Sequence, residues 1–132
     1  MQLRLPKGTK DTFPEEKIVQ DYIVDTLKES FEIYGFQPLQ TPLIEMFDIL
    51  SSKYAGGQEI LKETFKLKDQ GNRKLGLRYD LTVPLARFIA MNPQLKFPFK
   101  RYQIGSCFRD GPVSSNRIRE FRKAGYFNRL LF

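Results

Sequence analysis

The sequence predicts an α+β domain, on three observations. A long segment carries apolar residues at three- and four-residue steps, which is the period of a helix face. Two later segments alternate apolar and polar residues, which is the period of a strand. Helices and antiparallel strands in this order make an α+β arrangement.

The opening Lys7 to Glu16 reads as a turn leading into a helix, because Thr12 and Glu15 have capping-box spacing and Pro14 suits a first turn. Ile18, Tyr22, Ile23, Leu27, Phe31 and Tyr34 define one apolar face. Lys17, Asp21, Asp25, Lys28, Glu29 and Glu32 define the other, and Gly35 ends the segment. This predicts an ordinary amphipathic helix packed on a core. Phe36 to Leu43 alternates, but Pro38 and Pro42 cannot donate to a ladder, so it reads as an edge or interface strand with limited pairing. Ile44 to Leu50 has the pattern of a short helix, and Ser51 to Gln58, with Gly56-Gly57, that of a mobile loop. Thr64 to Leu67 and Lys74 to Arg78 alternate around Asp69-Gln70-Gly71-Asn72, predicting a hairpin whose second strand delivers Asp80. A second helix is expected from about Thr82 to about Met91, with Pro84 in its first turn and Asn92-Pro93 as its stop. Phe99 to Arg109 is a strand by alternation and ends at Asp110-Gly111-Pro112. The loop Val113 to Asn116 then leads to a return strand, Arg117 to Phe121. There is no internal repeat and no low-complexity tract.

Composition bounds the rest. With 132 residues, 41% hydrophobic and 14% aromatic, the chain suits one folded domain and no more. Twelve Phe and six Tyr supply the apolar faces in the absence of Trp. One cysteine, Cys107, cannot form an internal disulfide, and without histidine the usual zinc ligands are missing, so any metal would be oxygen-bound. No apolar run approaches the ~20 residues that span a bilayer, and the start lacks the uninterrupted apolar stretch of a secretory signal. The expectation is a soluble chain in a reducing, cytoplasmic compartment with no membrane partner. The net charge of +7 is not spread evenly: residues 96–132 carry nine Lys and Arg against only Asp110 and Glu120, and residues 1–95 balance to zero. A field concentrated in this way suits a polyanion such as ATP or RNA, and equally a solvated basic surface.

Two constellations could carry chemistry. An arginine at the end of one strand (Arg109) with arginines on the return (Arg117, Arg119) makes a plausible phosphate clamp, because guanidinium forks bind phosphate oxygens bidentately and stay charged. Phe121 beside it could stack on a purine, an interaction worth ~1–3 kcal/mol. The same arginines could instead face solvent or pair with a carboxylate such as Glu120. Asp80 and Thr82, between a strand and a helix start, are either a ligand-amine site or a helix cap, with Thr82 as N-cap and Asp80 complementing the dipole.

Taken together, the segments resemble class II aminoacyl-tRNA synthetases, specifically the histidyl family. Lys7-Gly8-Thr9-Lys10-Asp11 with Pro14-Glu15-Glu16 resembles the family's opening, and Tyr34 to Glu45 resembles its motif 1. Leu77 to Asn92 is similar almost word for word, in the family's archaeal and eukaryotic form. Lys100 to Arg109, continuing to Arg117-Ile118-Arg119-Glu120-Phe121, resembles motif 2. The likeness covers about residues 4–121. It implies the amino-terminal part of a class II catalytic domain over residues 1–132, a partial antiparallel sheet flanked by helices, with motif 3 and the anticodon-binding domain absent. It also implies a reaction in which histidine attacks the α-phosphate of ATP, supplied with Mg2+, and the acyl group then passes to tRNA. By position Arg109 would grip the α-phosphate and the substrate carboxylate, Asp80 and Thr82 the α-amino group, Arg117 the outer phosphates, and Phe121 the adenine. Asp110 to Asn116 would face the tRNA acceptor end, and Pro42 would lie at a homodimer interface.

The departures are local. Gly111 stands where many relatives carry an acid, and Asn116 and Ile118 replace the usual glycine and tyrosine. After Phe121, Lys123 and Phe127 occupy the distances at which the family reads histidine. With the similarity lost after Phe121, the expectation is a truncated or frameshifted frame and no histidine-dependent ATP–pyrophosphate exchange by the isolated chain. Two alternatives accompany this reading: a synthetase-like regulatory subunit of histidine biosynthesis, and a non-catalytic RNA-binding or dimerisation fragment.

Overall fold

In a computed structural model, residues 1–52 and 58–129 are described. Ten elements follow in order: α1 (Pro14–Ile33), β1 (Gln37–Pro38), β2 (Ile44–Met46), α2 (Phe47–Ser52), α3 (Gln58–Lys62), β3 (Lys66–Lys68), β4 (Lys74–Leu77), α4 (Thr82–Met91), β5 (Phe99–Phe108) and β6 (Glu120–Arg129). The α+β class holds. The strands divide into two three-stranded sheets, β1-β5-β6 and β2-β4-β3. The first is not wholly antiparallel, because β1 runs parallel to β5.

The long β5–β6 ladder is the frame. Phe99 pairs with Arg129 at one end and Phe108 with Glu120 at the other, so alternate residues of both strands share faces. On the even face, Tyr102 stacks on Phe31 of α1 with ring centroids 5.2 Å apart, and its hydroxyl donates to Glu32 Oε1 at 2.7 Å. On the odd face lie Gln103, Gly105 and Cys107, covered by the segment running from Arg78 into α4. Arg78 fixes that cover: the residue is only 3% exposed, and its guanidinium donates to Ser106 O at 2.8 Å and to Thr41 O at 3.0 Å. A smaller core of Leu50, Tyr79 and Val83 joins α2 to α4, with the Tyr79 hydroxyl donating to Leu50 O at 2.6 Å.

Several expectations are corrected. Of the apolar stripe of α1 only Phe31 packs inward, against Tyr102; Ile18 is 70% and Tyr22 74% exposed. The inward side is completed by half-buried Lys17, Gln20 and Val24, which the predicted stripe did not include. The capping box at Thr12 does not form, since the helix is capped by Phe13 without a side-chain bond, and Lys10 pairs with Glu16 instead. Only Gln37–Pro38 of the proline-bearing segment is strand, and Pro42 is exposed outside it. Ile44 to Met46 is strand rather than helix, because it pairs with β4 before α2 begins. Of the expected loop from Ser51 to Gln58, the ends are helical and residues 53–57 lie outside the described residues. The return strand begins at Glu120 rather than Arg117 and continues well past Phe121. The β3–β4 hairpin, α4 and β5 agree with expectation, with Asn72 at φ 66° in the hairpin turn.

Candidate active site

The odd face of β5–β6 and the turn before α4 enclose a cavity of about 360 Å³, lined in part by Asp80, Arg109, Arg117, Lys123 and Glu63. Each side chain arrives by a local rule. Arg109 follows β5 directly, and its N–H donates to Arg119 O at 2.8 Å, which carries the odd-face alternation one residue past the strand. Arg117 sits in the short connection, where Ser114 and Arg117 exchange backbone hydrogen bonds at 3.1 Å and close the loop. Lys123 lies on β6 opposite Gly105. Asp80 is held between β4 and α4, with Oδ1 accepting from the Thr82 N–H at 3.1 Å and the Val83 N–H at 3.0 Å.

That geometry realises the capping role, with a change of residue. Leu81 occupies the N-cap position and Asp80, not Thr82, supplies the capping oxygen. A carboxylate against the first N–H groups of a helix is also favoured by the helix dipole. Thr82 is exposed and does not line the cavity. The structure thus brings Asp80, Arg109 and Arg117 to one cavity and leaves Thr82 at its border. Phe121 does not line this cavity but a separate cleft against Lys17, Gln20 and Val24 of α1, although the Arg109 guanidinium carbon lies 5.3 Å and Lys123 Nζ 5.6 Å from its ring centroid. Pro42 is remote from it, in a separate cleft that also meets Arg78 and Gln103.

Sequence reading did not single out Glu63, just after α3. Arg117 Nη2 donates to both its carboxylate oxygens at 2.7 Å, and Arg109 Nε lies 3.7 Å from Oε2. Glu63 O also accepts from the Asp110 N–H at 2.7 Å. The arginines therefore do pair with a carboxylate, but with Glu63 rather than Glu120. Gly111 is part of this packing, since a Cβ there would stand 2.9 Å from the Glu63 carboxyl carbon. No local motif marks Glu63, which is 54 positions from Arg117 in the chain; only the tertiary fold joins them.

Arg119 turns outward from the cavity and secures the loop. It donates from Nε to Gly111 O at 3.1 Å, and its backbone N–H reaches Gly8 O at 2.8 Å. Its side chain crosses Gly8 where a Cβ would come within 2.6 Å, at φ +79°, so glycine is required there on both counts. Cys107, under the same face, is fully buried, and burial pushes its thiol pKa up. Among the described residues no group of three or more His, Cys, Asp or Glu could hold a metal ion, and no helix is long and apolar enough to cross a membrane.

Comparison with known proteins gives a consistent picture. The family model described as histidyl-tRNA synthetase matches residues 8–126, reaching into β6 beyond Phe121. A histidine–tRNA ligase 1 of Bacillus cereus is 54% identical over 121 residues, covering 92% of this chain and 28% of that protein. The ligase of the archaeon Aeropyrum pernix is 44% identical over 119 residues, covering 89% of this chain and 27% of that protein, so the Bacillus form is the more similar of the two. Among solved structures, the histidyl-tRNA synthetase of Nostoc superposes with a TM-score of 0.78 at 33% identity, covering 95% of this chain and 28% of that one. A protein of Bacillus halodurans described as an ATP phosphoribosyltransferase regulatory subunit/histidyl-tRNA synthetase superposes with a TM-score of 0.80 at 26% identity, covering 96% and 32%. The chain thus spans under a third of the length of these relatives.

Proposed function

The chain belongs to the histidyl-tRNA synthetase family, and from that premise we propose that residues 1–132 form an amino-terminal portion of a class II catalytic domain, binding ATP and histidine at the Asp80–Arg109–Arg117 cavity. The observation that carries this reading is the meeting of two guanidinium groups and the Asp80 carboxylate around one space. In the reaction, the histidine carboxylate attacks the α-phosphorus of ATP, brought as its Mg2+ complex, and pyrophosphate leaves. Negative charge grows on the α-phosphate oxygens as the new bond forms. Arg109, fixed at the end of β5, neutralises that charge without reorganising, which lowers the barrier. Arg117 takes the outer phosphates, and Phe121 offers its face to the adenine. Asp80 holds the ammonium group of histidine while capping α4, and Thr82, at the border of the cavity, is the second contact proposed for that group. The loop Asp110 to Asn116 faces the acceptor end of histidine tRNA, to which the acyl group then passes.

The exposed Ile18 and Tyr22 of α1 and the exposed Pro42 support a homodimer interface away from the cavity. A cytoplasmic setting accords with translation.

Binding is the direct readout, since the chain spans 28% of the Bacillus cereus ligase. Calorimetry with ATP and with a non-hydrolysable histidyl-adenylate analogue is expected to show an R109A loss of about tenfold or more, the scale of a charge-assisted hydrogen bond. Unchanged affinity in R109A refutes the assignment.

One observation favours a second reading, a regulatory subunit without aminoacylation. Lys123 places an amine in the cavity at a position the family uses to read histidine, and the Bacillus halodurans relative is described partly as such a subunit. Analogue binding absent from the chain, together with stable association with an ATP phosphoribosyltransferase, would select it.

A further inference from the structure

We propose that the Glu63 carboxylate is a built-in substitute for phosphate, occupying the two arginines of the cavity until a phosphate-bearing ligand displaces it. The inference rests on reading Arg109 and Arg117 as phosphate ligands.

The geometry is that of an anion in its site. Both Glu63 oxygens accept from Arg117 Nη2 at 2.7 Å, and Oε2 lies 3.7 Å from Arg109 Nε, so one carboxylate is held between the two guanidinium groups. A phosphate offers the same pair of oxygens with more charge, and both cannot occupy the arginines at once. The substitute has two effects. It keeps two like charges, with Lys123 nearby, from repelling one another across the cavity. It also holds the arginine loop to α3, helped by the Asp110 N–H to Glu63 O bond at 2.7 Å, which survives when the carboxylate swings away. Ligand entry is then an exchange of one anion for another, and Glu63 sets the affinity by competing.

The test is calorimetric binding of inorganic tripolyphosphate to the full chain. E63Q, which keeps the shape and removes the charge, is expected to bind on the order of fivefold tighter, the size of a half-exposed ion pair. E59Q removes a charge from the same cavity wall and is expected to change affinity less than E63Q. Tightening in E63Q alone supports the proposal. Unchanged or weaker binding in E63Q overturns it, as does equal tightening in E59Q, which would reflect the general field. R109A and R117A separate the two levels: if neither weakens tripolyphosphate binding, the phosphate reading itself falls and the inference with it. If E63Q does not fold, the wild-type chain answers through its isotope-labelled Glu63 carboxyl resonance. Movement toward an unpaired carboxylate on saturation with tripolyphosphate supports displacement, and a stationary resonance overturns it.

Discussion

The guanidinium of Arg78 lies so close over Gly105 that a Cβ on Gly105 would stand 2.4 Å from Nη2. Arg78 cannot retreat without giving up its bonds to Ser106 O and Thr41 O. G105A is therefore expected to lower stability by about 1–3 kcal/mol, as overpacking of a tight interior does. G125A is the contrast on the neighbouring strand, where a Cβ meets nothing within 4 Å. Urea unfolding midpoints of the two variants should move apart, and equal midpoints would contradict the packing.

Asp80 combines a structural and a binding role, and two substitutions separate them. D80N keeps an oxygen that accepts from the Thr82 and Val83 N–H groups, so its stability should stay close to wild type. D80A removes the cap and is expected to cost about 1 kcal/mol. Both remove the charge proposed to hold the histidine ammonium. Thermal unfolding should therefore distinguish D80N from D80A, and adenylate-analogue binding should not.

Tyr102 makes stability depend on alkaline pH. Its hydrogen bond to Glu32 is the main cause that pushes its pKa from 10.0 up to about 12, with burial adding to it. Because the folded value lies above the unfolded one, this contribution is fully present below about pH 10 and is lost as pH rises through about 12. Unfolding free energies measured across that window should fall for wild type and fall less for Y102F. Part of the decline should persist in Y102F, since burial raises the Cys107 pKa in the same direction.

Elements bounded by strong local punctuation were readable in advance. Pro84 with Asn92-Pro93 bracketed α4, and Asp110-Gly111-Pro112 marked the end of β5. What failed depended on neighbours. The apolar pattern of α1 identified a helix correctly, but apolarity does not say which partner a face meets, and here Lys17, Gln20 and Val24 turn inward while Ile18 and Tyr22 face out. Past Phe121, the strand places Phe121, Lys123, Gly125 and Phe127 on one face, but Lys123 and Gly125 interrupt its apolar pattern and hid a strand whose order comes from its ladder with β5. At the cavity, Arg109 and Asp80 stood at element ends where side chains converge, and were visible for that reason. Glu63 had no such position, and its importance arises from a pairing between distant segments.

The seclusion of Cys107 gives the molecule an internal reporter. It is the single thiol in the sequence, it is wholly shielded between β5 and the segment above it, and its raised pKa keeps it in the unreactive protonated form. A thiol reagent can modify it only when that layer separates. Labelling kinetics thus count the openings of the sheet one molecule at a time, and a ligand that braces the cavity above should be visible as slower modification at an atom it never touches.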